Sequence, residues 1–208
     1  MRLFVALDFP DRVRASLREL IARLKPESDS ARWVRPEGMH VTLKFIGETD
    51  SNKVGAIQSA LACVQSAQAV EMHFHGLGFF PNEHRPRVFW CAVDSSPNLA
   101  ELAAAVDQVL APLEIPRESR AFVPHLTLAR FNASRGPSRG VGKLDKLVRA
   151  ASELKSCDFG SARETEFHLY ESILKPSGAE YKRLAGFPFT GGPHTREAII
   201  REGIVKPS

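Results

Sequence analysis

The chain has 208 residues, 43% of them hydrophobic and 25% charged, with a formal net charge of +4 and a pI of about 9.1. That is enough polypeptide for a substantial core in one large domain or two small lobes. No run approaches the ~20 apolar residues of a membrane-spanning helix, so no membrane role is expected, and the mild basicity suits a polyanionic partner without specifying one.

Residues 2–8, rich in β-formers, read as a first strand rather than a signal peptide. From Asp11 the apolar residues Val13, Leu17, Leu20, Ile21 and Leu24 share one side of a helix that Pro26 ends. Residues 31–34 form a short strand candidate before the turn Arg35-Pro36-Glu37-Gly38, and residues 39–46 a further strand stopped by Gly47. A helix capped by Asp50 or Ser51 runs to about Ser66, with Val54, Ile57, Leu61 and Val64 at helical spacing. Strands follow over 70–80 and 87–94. Ser96-Pro97 then starts a helix, with proline at its first position, that lasts to Leu110. Residues 122–130 read as a strand and 132–142 as an exposed loop. Residues 143–151 are a short helix, 156–159 and 164–174 strands, 179–184 a short helix or turn, and 187–189 a final short strand. The order is strand–helix–strand twice with hairpin-like additions, an α+β architecture built from two similar halves. Residues 1–190 are expected to form one two-lobed domain arisen by internal duplication. Residues 191–208 are read as a tail without a core role, expected to be mobile.

One tetrapeptide organises the chemistry. His40-Val41-Thr42-Leu43 recurs as His125-Leu126-Thr127-Leu128, each within a strand candidate. Residues two apart on a strand share a face, so each histidine sits beside its threonine while the aliphatic pair points the other way. With six threonines in 208 residues, chance places one two after a given histidine in about 3% of cases. A lone copy would be read as a half-buried sheet histidine beside a good strand former; the matched pair favours function. An imidazole titrates near neutrality, so one ring can take a proton while its partner gives one, and hydroxyls can hold phosphate oxygens. That is sufficient for opening a cyclic phosphodiester without a metal, and no cofactor is called for.

The segments 2–7, 33–48 and 122–130, with Pro86-Arg87-Val88-Phe89-Trp90 and residues 171–181, resemble the RNA 2′,3′-cyclic phosphodiesterases, also called 2′-5′ RNA ligases, of the two-histidine phosphoesterase superfamily. The resemblance runs from residue 2 to about 190. It implies a bilobal α+β fold, two pseudo-twofold-related lobes each with an antiparallel sheet flanked by helices and an active cleft between them. It further implies hydrolysis of RNA 2′,3′-cyclic phosphate ends to 2′-phosphomonoesters. By that analogy His40 is the general acid and His125 the general base, Thr42 and Thr127 hold the phosphate, Arg130 lies near the phosphate or stacks on the terminal base, and Phe9 forms the other side of the base sandwich. The alternatives are 2′-5′ ligation of tRNA halves in the same site and a non-enzymatic RNA-end-binding module.

Other features carry less. Cys63, Cys91 and Cys157 form no C-x-x-C pair, so buried free thiols in a reducing cytoplasm are expected, and a monomer. His73 and His75 share a strand face, a spacing that can bind metal, but no third ligand is apparent and a sheet histidine pair is the simpler reading. His84, Arg135 and Arg139 lie in basic loops suited to RNA phosphates or to water, and His168 and His194 argue for nothing.

Overall fold

The computed structural model describes residues 1–28, 31–66, 68–131, 141–154, 156–175 and 178–190. The tail at 191–208 with His194, and the loop residues 132–140 with Arg135 and Arg139, lie outside the described residues. The elements are β1 (Arg2–Leu7), α1 (Asp11–Leu24), β2 (Ala31–Trp33), β3 (Val41–Glu48), α2 (Val54–Ala62), β4 (Val70–Phe80), β5 (Val88–Ser95), α3 (Asn98–Leu110), β6 (His125–Phe131), α4 (Val141–Glu153), β7 (Asp158–Glu164), β8 (Glu166–Lys175) and β9 (Gly178–Pro188).

Among the described residues the strands form one antiparallel sheet in the order β7-β4-β5-β6-β3-β1-β8-β9, with β2 added to β6. The order divides at β6/β3 into two matched halves. In each, the motif strand pairs with the strand that precedes it across a helix: β3 with β1 across α1, and β6 with β5 across α3. The halves meet at one bridge, Val41 with Leu126. An antiparallel bridge between equivalent strands is itself two-fold symmetric, so this pair sits where a pseudo-twofold axis would pass. The two halves are thus joined edge to edge in one continuous sheet.

One face of the sheet carries the helices. Val13, Leu17, Leu20, Ile21 and Leu24 of α1 are all buried, as their spacing predicts. They join Leu3, Val5, Leu7, Val41, Leu43, Leu126 and Leu128 in a core that also takes residues from α2, α3 and α4. The opposite, open face is where the other side chains of β3 and β6 emerge.

The C-terminal hairpin corrects the sequence reading. Residues 179–184 are rich in helix formers, yet they belong to β9, which pairs along its length with β8 from Glu166–Pro188 to Lys175–Gly178. A continuous ladder satisfies the backbone, and tertiary pairing overrides a propensity of a few tenths of a kcal/mol per residue (about 0–0.7). Pro97 sits one position earlier than expected, as the N-cap of α3. Among the described residues no helix is long and apolar enough to cross a membrane.

Candidate active site

The bridge between β3 and β6 places the repeated motif. Val41 and Leu126 are fully buried on the core side. Counting outward in antiparallel register sets His40 against Thr127, and Thr42 against His125. All four are partly exposed, on the open face. Diagonal positions on such a ladder are ~7–8 Å apart, so the two imidazoles flank a space suited to one phosphodiester group.

Two bulges complete the site. Along β3, Val5 pairs with Lys44 and then Ala6 with Thr42, so Leu43 is an extra residue. Along β6, Phe89 pairs with Ala129 and then Trp90 with Thr127, so Leu128 is the extra residue. In each case two successive residues turn inward: Leu43 with Lys44, and Leu128 with Ala129. A bulge inverts the alternation beyond it. The third residue after each threonine, which a regular strand would send into the core, therefore returns to the open face. Those residues are Arg130 and Phe45, and Phe45 is 59% exposed. Arg130 thus emerges on the same face as the two histidines, and its charge acts on both.

The histidines are held alike. Nδ1 of His40 lies 2.9 Å from the Gly38 carbonyl oxygen, and Nδ1 of His125 2.8 Å from that of Val123. A carbonyl only accepts, so each Nδ1 carries the proton and donates it, leaving each Nε2 for the substrate. His40 is stacked on Phe4 at 4.4 Å between centroids, and Phe80 meets His125 edge-on at 5.1 Å. Behind Phe4 lies Tyr170, whose hydroxyl donates to Asp8 at 2.6 Å. The turn before His40 is clamped by Arg14, whose Nη1 donates to the Pro36 and Met39 carbonyls at 2.8 and 2.9 Å. Burial pushes the His40 pKa down to about 4, against the opposing pull of its bond to Gly38 and of Asp8, with Arg130 and Arg14 lowering it further. His125 is lowered too, by burial first and by Arg130, with its bond to Val123 opposing. Both rings are therefore neutral near pH 7 in the free protein.

Phe9 is a correction. It is 4% exposed, packed on Phe74 within the core, with the Arg14 guanidinium 4.4 Å above its ring. Its place after β1 puts it under the helix face, so it cannot reach a base; the exposed aromatic ring is Phe45. The signal for Phe45 was in the sequence, since it stands five after His40 as Arg130 stands five after His125. Cys63 is exposed rather than buried, whereas burial pushes the Cys91 thiol up to about 12, which makes it unreactive. His168 is buried between Asp8 and Glu166, and His84 lies in an exposed turn.

Residues 9–160 match the family model described as the 2′-5′ RNA ligase superfamily. A protein of Archaeoglobus fulgidus named RNA 2′,3′-cyclic phosphodiesterase is 35% identical over 187 residues, 90% of this chain and 99% of that one. A protein of Thermotoga maritima with the same name is 31% identical over 195 residues, 92% and 97% of the two chains. Among solved structures, TT0787 of Thermus thermophilus superposes with a TM-score of 0.73 at 28% identity, covering 93% of this chain and all of that one. E. coli LigT complexed with 3′-AMP does so with a TM-score of 0.69 at 25% identity, covering 91% and 98%.

Proposed function

The chain belongs to the 2′-5′ RNA ligase superfamily, and on that premise we propose that it is an RNA 2′,3′-cyclic phosphodiesterase whose reaction is run by His40 and His125. The observation that carries the reading is the Val41–Leu126 bridge, because it brings both His-x-Thr motifs to one patch with the same orientation of both rings. Relatives that match nearly end to end bear the name of this activity.

Water attacks phosphorus from the side opposite the ribose 3′ oxygen. His125 Nε2 takes the proton of the attacking water as the new P–O bond forms. The P–O3′ bond breaks, and His40 Nε2 delivers a proton to O3′. The product is a 2′-phosphomonoester with a free 3′-hydroxyl. General acid and general base each supply ~10²–10⁴-fold. The phosphate anion between the rings favours the imidazolium form, which offsets the burial that keeps His40 neutral in the free protein. The Thr42 and Thr127 hydroxyls donate to the non-bridging oxygens, and the Arg130 guanidinium neutralises the charge there. Phe45 offers a flat face to the terminal base, a contact tolerant of any base. No cofactor takes part. Both histidines come from one chain, so the site needs no residue from a second copy and the proposed acting form is the monomer; the free thiols suit a reducing cytoplasm.

The same groups run ligation when an RNA 5′-hydroxyl replaces water, a second reading that the description of the superfamily favours. The experiment that tests the first is turnover of an oligonucleotide ending in a 2′,3′-cyclic phosphate, with the product assigned by ³¹P NMR. The wild type yields the 2′-phosphate, and His40→Ala and His125→Ala each lose ~10²–10⁴-fold in kcat with circular dichroism unchanged. Near wild-type turnover in either variant overturns the assignment.

A further inference from the structure

The paired histidines of β4, left without a third ligand by the sequence, acquire one in the fold. His73 pairs with Asp94 of β5, and His75 pairs with Asp158 of β7 on its other side. Paired residues on a sheet share a face, so these four side chains emerge together. His75 Nε2 lies 2.8 Å from Asp94 Oδ2, and His73 Nε2 3.0 Å from Asp158 Oδ1. The two rings are stacked at 5.2 Å. Ligand atoms of His73, His75 and Asp94 all lie within 4.8 Å of one another.

We propose that His73, His75 and Asp94, with Asp158 alongside, bind a divalent transition-metal ion of the zinc type. Two imidazoles and one or two carboxylates form a mixed nitrogen–oxygen set. Such a set suits Zn²⁺, Ni²⁺ or Co²⁺, whereas Mg²⁺ and Ca²⁺ prefer oxygen alone. Bonds of ~2.0–2.2 Å to a tetrahedral ion set the donors roughly 3.3–3.6 Å apart, so the 2.8 Å His75–Asp94 pair must part slightly and the more distant donors close in, and rotation of the side chains supplies that movement. His75 Nε2 is shielded from water and makes no hydrogen bond, although Asp94 Oδ2 is close; the oxygen approaches out of line. An ion seated between them satisfies the nitrogen lone pair and the carboxylate at once. Two carboxylates balance the charge of the ion.

The site is separate from the catalytic histidines. His75 pairs with Ala92, and Ala92 with His125, which puts His75 two strands, or ~9–10 Å, from His125 on the same open face. Neither His40 nor His125 belongs to it.

The test is calorimetric titration of chelator-treated, full-length protein with Zn²⁺. The expected result is saturable binding at equal stoichiometry, retained in His125→Ala. It weakens in His73→Gln/His75→Gln and in Asp94→Asn by at least the 10–100-fold that loss of even an outer partner costs, roughly. Co²⁺ added to the wild type is expected to give visible d–d absorption and to shift the NMR signals of His73 and His75 ahead of those of His40 and His125, a readout independent of how the variants fold. Absence of saturable binding by the wild type, equal binding by His73→Gln/His75→Gln, or first perturbation of His40 or His125 would overturn the proposal.

Discussion

At the scale of single residues, the candidate site is a problem in holding two rings neutral and correctly turned. The carbonyls of Gly38 and Val123 fix the tautomers, and burial together with Arg130 disfavours the imidazolium at both rings. The sign of the pH dependence follows. Catalysis needs one ring protonated and one neutral. With His40 near 4 and His125 also lowered, kcat/KM of the free enzyme reaches its maximum below the ordinary imidazole value of 6.5. It declines at higher pH as both rings lose their protons, and at lower pH as no base remains. A pH–rate profile with its maximum clearly on the alkaline side of 6.5 contradicts this. Replacing Arg130 by alanine removes a positive charge that acts on both rings. Both pKa values then rise and the whole profile moves to higher pH, besides any loss of rate. An Arg130→Ala profile that stays in place, or NMR titrations of the two histidines that do not move up, contradicts the electrostatic role. Phe45 presents a simpler case. Its ring is mostly exposed, so Phe45→Ala leaves the denaturation midpoint nearly unchanged. Base stacking of about 1–3 kcal/mol then appears as a KM raised by roughly 5–150-fold with kcat little altered. Equal KM values for mutant and wild type remove Phe45 from the site.

At the scale of elements, the bulges are what turn a strand motif into a site. His and Thr share a face by simple alternation, but Arg130 and Phe45 stand at odd offsets from the threonines and reach the same face only because Leu128 and Leu43 each take an extra place. The bulge in β3 also turns Lys44 inward, where it is 6% exposed and donates to Asp107 of α3 and to the Pro116 carbonyl. That ion pair ties the motif strand to a helix that follows β5, in the other half of the chain. Lys44→Met leaves Asp107 with the more distant Arg117 as its ion-pair partner. A cost on the order of 3 kcal/mol is expected, at the low end for breaking a buried pair because Asp107 retains some solvent. Urea titration checks it, and a change under about 0.5 kcal/mol, the ordinary range of surface substitutions, would show the pair to be dispensable. A close packing contact governs β4 and β5. A Cβ on Gly78 would come within 2.3 Å of the Trp90 indole, which lies flat across that position and stacks on Phe80, the ring against His125. Glycine is required there for space.

At the scale of the whole molecule, the two halves share both a sheet and a core. Helix α1 follows β1 yet packs against β7 and α4, while α3 follows β5 yet packs against β3. The helices thus lock each half onto the other, and the main cluster of buried residues draws on both halves, with Phe4, Ala6 and Tyr170 forming a second, smaller one. A single cooperative unfolding transition is expected, with tryptophan fluorescence from Trp33 and Trp90 and far-UV circular dichroism giving the same urea midpoint. Distinct midpoints would divide the chain into two independent domains. Much of this architecture was legible in the chain itself. Helix α1 follows from five apolar residues at helical spacing, and the motif pair from a repeated tetrapeptide on strands. Both depend on neighbours within one element, where geometry is set by period alone. The burial of Phe9, the exposure of Phe45, the β9 strand and the gathering of His73, His75, Asp94 and Asp158 depended instead on which strand lies beside which. Those outcomes come from pairings between residues far apart in sequence, and a register shift of one place reverses the face that every side chain meets. Local periodicity cannot encode such a shift; only the folded sheet decides it.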